Sequence, residues 1–106
     1  MSEAEFLAQF EVTLNHIEDA LDRCGVDVET MRTGPALQLS FDDGSKIIIN
    51  AQTPMRELWV AARAGGYHFR FDGGRWHDTR GAGELFERLS AWVSEQSGET
   101  LELRPA

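Results

Sequence analysis

Apolar residues recur at helical spacing near both ends of the chain. From residue 3 to residue 24 they step by four, four, three, four and three positions, which places them on one face of a helix. That face comprises Phe6, Phe10, Leu14, Ile17, Leu21 and Cys24, with Leu7 widening it. Ser2 and Glu5 match a capping box, and Gly25 supplies a helix stop. A second stripe predicts a helix over residues 84–96, ended by Gly98; its apolar members are Leu85, Phe86, Leu89, Trp92 and Val93.

Between the helices, apolar residues alternate with polar ones or form β-branched runs, as strands do. The runs cover residues 27–32 (a weak one), 37–41, 46–50, 58–62, 67–71 and a return through Trp76 and His77. Short turns at residues 42–45, 65–66 and 72–74 imply antiparallel pairing. The pattern predicts a single α+β domain over residues 1–106. We expect a two-layer α-β sandwich, with the N- and C-terminal helices packed on one face of a roughly six-stranded antiparallel sheet.

The sheet face opposite the helices is expected to be solvated or to cover a partner. Trp59 alternates with Leu58 and Val60, so it points outward if those two point inward. An outward tryptophan is a candidate interface anchor, and the alternative is that a neighbouring loop covers it. Trp76 and Trp92 are predicted to lie in the core.

Negative charge is concentrated in the first third of the chain. The formal net charge is −8. Residues 1–31 hold eight carboxylates and one arginine, whereas the remaining residues hold ten acids and nine bases. Such a field repels nucleic acid and anionic membranes, and it attracts cations and basic protein surfaces. There is no run of about 18 apolar residues, so we expect no membrane span.

Six of these carboxylates are expected to share one edge of the domain, and we call them the acidic ridge: Glu11, Glu18, Asp19, Asp22, Asp27 and Glu29. At about 100° per residue, Glu11, Glu18 and Asp22 fall within a helical band roughly 40° wide, and Asp19 lies further toward solvent. The two strand members are two residues apart and so share a face. No lysine lies nearby to relieve the repulsion among these carboxylates. The surface therefore suits hard cations that take several oxygen ligands, and we expect it to bind them weakly and without selectivity. The alternative is a merely solvated acidic helix face.

Other chemistry is not indicated. His16, His68 and His77 have no metal-ligand spacing, and no nucleotide-binding loop or nucleophilic triad can be singled out. Cys24 lies on the apolar helical face, which predicts a buried, inert thiol. A single cysteine forms no intrachain disulfide, and the N-terminal residues lack the pattern of a signal peptide, so a cytoplasmic location is expected.

Several segments carry a family resemblance. They are residues 41–50 (FDDGSKIIIN), 52–54 (QTP), 58–59 (LW) and 65–69 (GGYHF), preceded by the acidic helix segment 17–22 (IEDALD). Together they resemble the frataxins, specifically the bacterial form. Trp76, Asp78, Arg80 and the final helix agree in order and spacing. The resemblance covers nearly the whole chain, and the stretch from Asn50 to Trp59 is its most specific part.

The resemblance implies an iron-binding protein of iron–sulfur cluster assembly, a regulator or iron donor and not an enzyme, that is a monomer when metal-free. It implies weak binding of Fe²⁺ or Fe³⁺ at Glu18, Asp19, Asp22, Asp27 and Glu29; Glu11 is added from the helical spacing. It also implies that Glu18, Asp19 and Asp22 dock on cysteine desulfurase, and that Asn50, Gln52 and Trp59 face the assembly of desulfurase and scaffold protein.

The chain also departs from the family pattern. Arg23 and Cys24 stand where further acids are often found, and Arg32 stands where an apolar strand residue is expected. Fewer carboxylates should mean fewer or weaker iron sites. The alternatives are an acidic interaction domain without a metal role and a low-activity ferroxidase; the latter is disfavoured because the Glu-x-x-His pairs of di-iron bundles are absent from the sequence.

Overall fold

Six antiparallel strands follow one another across one sheet, with a helix before the first and another after the last. The computed structural model describes residues 1–105. The helices are α1 (Glu3–Cys24) and α2 (Leu85–Ser97). The strands, each paired with the next in chain order, are β1 (Glu29–Arg32), β2 (Ala36–Ser40), β3 (Lys46–Gln52), β4 (Glu57–Ala62), β5 (Gly65–Asp72) and β6 (Arg75–Asp78). A 3-10 turn, Thr53–Met55, contains Pro54 and joins β3 to β4.

Local signals account for where the elements begin and end. The Ser2 hydroxyl accepts a hydrogen bond from the Glu5 amide at 3.1 Å, and the Glu5 carboxylate accepts one from the Ser2 amide at 2.9 Å, which is the predicted capping box. Gly25 then ends α1 in the left-handed conformation, with φ 68°. Gly73 and Gly74 both have positive φ, as a two-residue hairpin turn between β5 and β6 requires.

The core lies between the helices and one face of the sheet. The α1 residues Phe6, Phe10, Leu14 and Ile17 are buried together with alternate residues of the strands and with the apolar stripe of α2. The inward strand residues are Leu37, Leu39, Ile47, Ile49, Leu58, Val60 and Phe69. Trp76 and Trp92 are each 2% exposed, as predicted. The predicted two-layer α-β sandwich is therefore confirmed.

The tail after α2 closes one side of the core. Ser94 Oγ accepts a hydrogen bond from the Leu101 amide at 3.1 Å, and Ser90 Oγ accepts one from the Leu103 amide at 2.7 Å. These bonds fix an extended segment along α2 and place Leu103, only 2% exposed, in the core. No helix within residues 1–105 is both long and apolar enough to cross a membrane.

Five local predictions are wrong. The turn between β4 and β5 lies at residues 63–64, and Gly65 and Gly66, which were predicted to form it, begin β5. Helix α2 begins at Leu85, because Glu84 is its N-cap and accepts from the amides of the first turn. Strand β1 begins at Glu29, later than predicted, and Leu7 remains 38% exposed. Cys24 is exposed and not buried, although it shares the apolar face of α1. Its turn follows Leu21 at the end of the packed region and borders only a shallow groove against the C-terminal tail.

Candidate functional site

The helical members of the acidic ridge differ in how much water they meet. The side chains of Glu11 and Glu18 are 61% and 32% exposed. Asp19 and Asp22 are exposed, and within residues 1–105 neither forms an ion pair. Arg23, the one arginine within residues 1–31, donates to the Arg104 carbonyl oxygen at 2.7 Å and so faces the C-terminal tail.

Arg32 of β1 binds the other two helical carboxylates. Its Nε lies 2.8 Å and its Nη2 2.6 Å from Glu18 Oε1, and its Nη1 lies 2.6 Å from Glu11 Oε1. Nη2 also donates to Asn15 Oδ1 at 2.5 Å. These carboxylates hold the pKa of Arg32 above its usual value, although partial burial acts in the opposite direction. An arginine and not a lysine therefore relieves the repulsion at Glu11 and Glu18, so the expectation of an unrelieved ridge is wrong for these two residues.

The register of β1 explains why an arginine occupies this position. Arg32 pairs with Leu37, a buried residue, so both side chains lie on the helix-facing side of the sheet. Because β1 is the edge strand, a long side chain there can pass over the rim of the core and keep its charged end partly in water. The expected apolar residue is thus replaced by a side chain that is apolar along its stem and ion-paired at its tip.

The remaining two members of the ridge lie next to a further carboxylate. Glu29 pairs with Ser40, and continuing that register by two residues brings Asp27 opposite Asp42 in the β2–β3 turn. A hydrogen bond and charge repulsion from Asp27 raise the pKa of Asp42, and burial, Glu29 and Asp43 act in the same direction. Sequence reasoning treated Asp42 only as a turn residue; the strand register is the signal that would have found it.

The neighbouring Asp43 has the opposite environment. Its carboxylate accepts from the Ser45 hydroxyl at 2.6 Å and from the Ser45 amide at 2.9 Å, and it is paired with Arg63. These interactions, those with Ser45 first, lower the pKa of Asp43 to about 2. Asp43 is therefore engaged within the turn, whereas Asp27, Glu29 and Asp42 repel one another.

The ridge carries carboxylate oxygens without enclosing a metal. Within residues 1–105, no three His, Cys, Asp or Glu side chains are arranged to hold an ion. Exposed carboxylates suit hard cations that keep much of their water shell, and such sites are weak and unselective. The geometry therefore fits loosely held, exchangeable cations or the basic side chains of another protein better than a resident metal.

The helix-free face of the sheet carries the predicted partner-binding residues. Asn50 pairs with Trp59, which pairs with His68, so the three lie side by side across β3, β4 and β5. Asn50 is exposed, and Gln52, two residues along the same face, is half-buried. Trp59 points away from the core, as predicted. Its half-buried ring stacks on His68 with centroids 4.1 Å apart, so a strand neighbour and not a loop covers one side of it.

A buried carboxylate beside Trp59 was not anticipated from the sequence. Glu57 is 3% exposed and accepts from Trp59 Nε1 at 2.9 Å and from Arg70 Nε at 3.1 Å. His68 Nδ1 lies 3.7 Å from the same carboxylate. The spacing of Glu57 and Trp59, two residues apart on one strand, is the sequence signal for this contact. The network holds the ring in one orientation, and Trp59 remains partly exposed.

Comparison with known proteins places these features in a family. A family model described as the frataxin-like domain matches residues 1–99. The iron-sulfur cluster assembly protein CyaY of Cupriavidus metallidurans is 54% identical, covering 98% of this chain and 97% of the relative. The protein of the same name from Ralstonia pickettii is 58% identical over 92% of this chain and 90% of its own length.

Solved structures agree with the fold. The frataxin of Psychromonas ingrahamii superposes with a TM-score of 0.91 at 33% identity, covering 96% of this chain and 97% of that one. A trimeric frataxin of Saccharomyces cerevisiae, complexed with ferrous iron, has a TM-score of 0.73 at 19% identity, over 86% and 87% of the two chains. At that identity the yeast protein supports the fold alone.

Proposed function

Because this chain belongs to the frataxin-like family, we propose that it serves iron–sulfur cluster assembly as an iron-binding regulator or iron donor. The names of its bacterial relatives support the pathway. The observation that carries the proposal for this chain is a set of exposed carboxylates at one edge that no basic side chain among the described residues neutralises. Asp19 and Asp22 lie on the helix, and Asp27, Glu29 and Asp42 lie at the β2–β3 turn and the start of β1.

In the proposed metal-binding role, iron is cargo. Carboxylate oxygens accept both Fe²⁺ and Fe³⁺ as hard or borderline ions, and an open site lets the ion keep water ligands and leave readily. Mutual repulsion among Asp27, Glu29 and Asp42 would be relieved by a bound cation. We therefore expect weak binding with fast exchange. The proposed iron site comprises the six carboxylates of the acidic ridge together with Asp42. Within it, Glu11 and Glu18 are less available because each accepts a hydrogen bond from Arg32.

In the proposed docking role, the ridge approaches a basic surface of cysteine desulfurase. Charge complementarity of this kind accelerates encounter and selects the partner more than it adds final affinity. The face carrying Asn50, Gln52 and Trp59 would then meet the desulfurase and scaffold assembly. A tryptophan held rigidly by Glu57 and His68 costs little ordering entropy when it is buried at an interface.

The experiment that tests the proposal reverses charge on the exposed helix. Asp19→Lys/Asp22→Lys is compared with Glu95→Lys/Glu99→Lys, which changes the net charge equally at exposed positions at the end of α2. Binding to cysteine desulfurase is measured by calorimetry at low salt. We expect the first variant to weaken binding by at least about tenfold and the control by less than about threefold. Equal effects of the two variants would contradict docking through the ridge.

A second candidate function is an acidic docking domain that does not handle metal. The absence of a preformed three-ligand group within residues 1–105 favours it. An anaerobic Fe²⁺ titration followed by NMR separates the two functions. Broadening confined to amides around Asp22, Asp27 and Asp42 supports iron binding, whereas uniform or absent broadening supports docking alone. Fe²⁺ oxidation by O₂ faster than in buffer would instead indicate a ferroxidase.

A further inference from the structure

Arg32 connects the edge of the sheet to the helix that carries most of the ridge. Its planar guanidinium meets acceptors on three turns of α1, at Glu11, Asn15 and Glu18, with donor–acceptor distances of 2.5 to 2.8 Å. Spacings of four and three residues align these acceptors on one helical face. We call this arrangement the Arg32 clamp. Arginine suits it because its donors lie in a fixed plane and its charge persists at any physiological pH.

The clamp changes what the ridge can offer to an incoming cation. Glu18 Oε1 already accepts from Arg32 Nε and lies 2.6 Å from Nη2, and Glu11 Oε1 accepts from Nη1. A metal ion or a partner lysine can use these carboxylates only through the Oε2 atoms or by displacing the bonds to Oε1. It also meets the repulsion of the fixed positive charge. Asp19 and Asp22 carry no such burden within residues 1–105.

We propose that Arg32 is a specificity-determining residue of the ridge, an internal counter-ion that withholds Glu11 and Glu18 from external cations. The inference rests on the proposed function, because it concerns which carboxylates of that surface are used. It divides the ridge into an occupied part, Glu11 and Glu18, which the clamp holds, and an available part. The available carboxylates are Asp19, Asp22, Asp27 and Glu29, together with the neighbouring Asp42.

A double-mutant cycle with Mn²⁺ as the probe tests the proposal. Mn²⁺ is a hard divalent ion that needs no protection from air, and its binding is followed by electron paramagnetic resonance. Removing one positive charge about 6 Å from a divalent ion in water should tighten binding by about tenfold. We therefore expect Arg32→Gln to bind Mn²⁺ about tenfold more tightly than the unmodified chain. Arg75→Gln, an exposed control on the opposite edge strand, should change affinity by less than about twofold.

The decisive comparison is the effect of Glu18→Gln in the two backgrounds. With Arg32 present it should weaken Mn²⁺ binding by no more than about tenfold, the through-space effect of losing one negative charge at a similar distance, because Glu18 is not a ligand there. In the Arg32→Gln background it should weaken binding more than it does with Arg32 present, because a ligand is lost together with the charge. An equal loss in both backgrounds would overturn the proposal, since Glu18 would then bind the ion despite the clamp.

Two further measurements keep the outcomes separate. If Arg32→Gln does not fold, as judged by circular dichroism, Glu18→Gln and Asp22→Asn are compared in the unmodified chain. A weaker effect of Glu18→Gln supports the clamp, and an equal effect overturns it. If the unmodified chain binds no Mn²⁺, the metal-binding part of the proposed function fails. Glu18-dependent binding that appears in Arg32→Gln would still support the Arg32 inference.

Discussion

Replacing Trp59 by alanine should separate binding from folding. The ring lies on the helix-free face, so its removal leaves a depression that water fills and no internal cavity. The loss comprises a stacking contact with His68, worth about 0.5–1.5 kcal/mol, and one hydrogen bond to Glu57, worth about 1 kcal/mol. Glu57 keeps its bond to Arg70 and gains access to water. We therefore expect a loss of about 1.5–2.5 kcal/mol in the free energy of unfolding.

Trp92→Ala is the matched control for this prediction. Trp92 is 2% exposed in the core, where removing a tryptophan typically costs about 3–5 kcal/mol. Urea unfolding measures both variants under the same conditions. Binding of the folded proteins to the desulfurase and scaffold assembly should fall by about 2 kcal/mol for Trp59→Ala, or about 30-fold. The reasoning is refuted if Trp59→Ala destabilises the chain as much as Trp92→Ala, or if it leaves binding unchanged.

Three further predictions concern stability. Asp42→Asn should raise the free energy of unfolding at neutral pH, because the raised pKa of Asp42 means that its charged form is unfavourable in the folded state. Urea unfolding at several pH values should show this gain in stability vanishing below the ordinary aspartate pKa of about 4. Asp43→Asn should do the reverse: its carboxylate stabilises the fold above its unfolded pKa, and this contribution is lost as the pH falls through about 2. The same sign for both variants at neutral pH would contradict these assignments. Leu103→Ala should lower the free energy of unfolding by about 2–5 kcal/mol, because it leaves a cavity in the core. Leu7→Ala, at an exposed site, is the control and should cost about 1 kcal/mol or less in urea unfolding. Similar losses for the two variants would show that the tail is not part of the core.

Features encoded within a few residues were predictable. Helix α1 runs from Glu3 to Cys24 as predicted, because its capping box, apolar spacing and terminal glycine all act locally. The strands and the outward direction of Trp59 follow from alternation, which fixes the face of every residue once one face is buried.

Features that depend on contacts between distant elements could not be predicted from the local sequence. The partners of Arg32 lie 14 to 21 residues away, and finding them requires β1 to be known as the edge strand beside α1. Asp42 joins Asp27 only through the strand register. Cys24 shares a helical face with buried residues, but periodicity does not reveal where the core stops. These placements decide which ridge carboxylates are free.

The most direct test is the salt dependence of binding to cysteine desulfurase. It asks whether the available carboxylates of the ridge recruit this partner. Between about 0.05 M and about 0.5 M salt, we expect the unmodified chain to lose at least about tenfold in affinity, because exposed charges are screened over that range. Asp19→Lys/Asp22→Lys should show a much flatter dependence. An affinity independent of salt for the unmodified chain would contradict recruitment by the ridge.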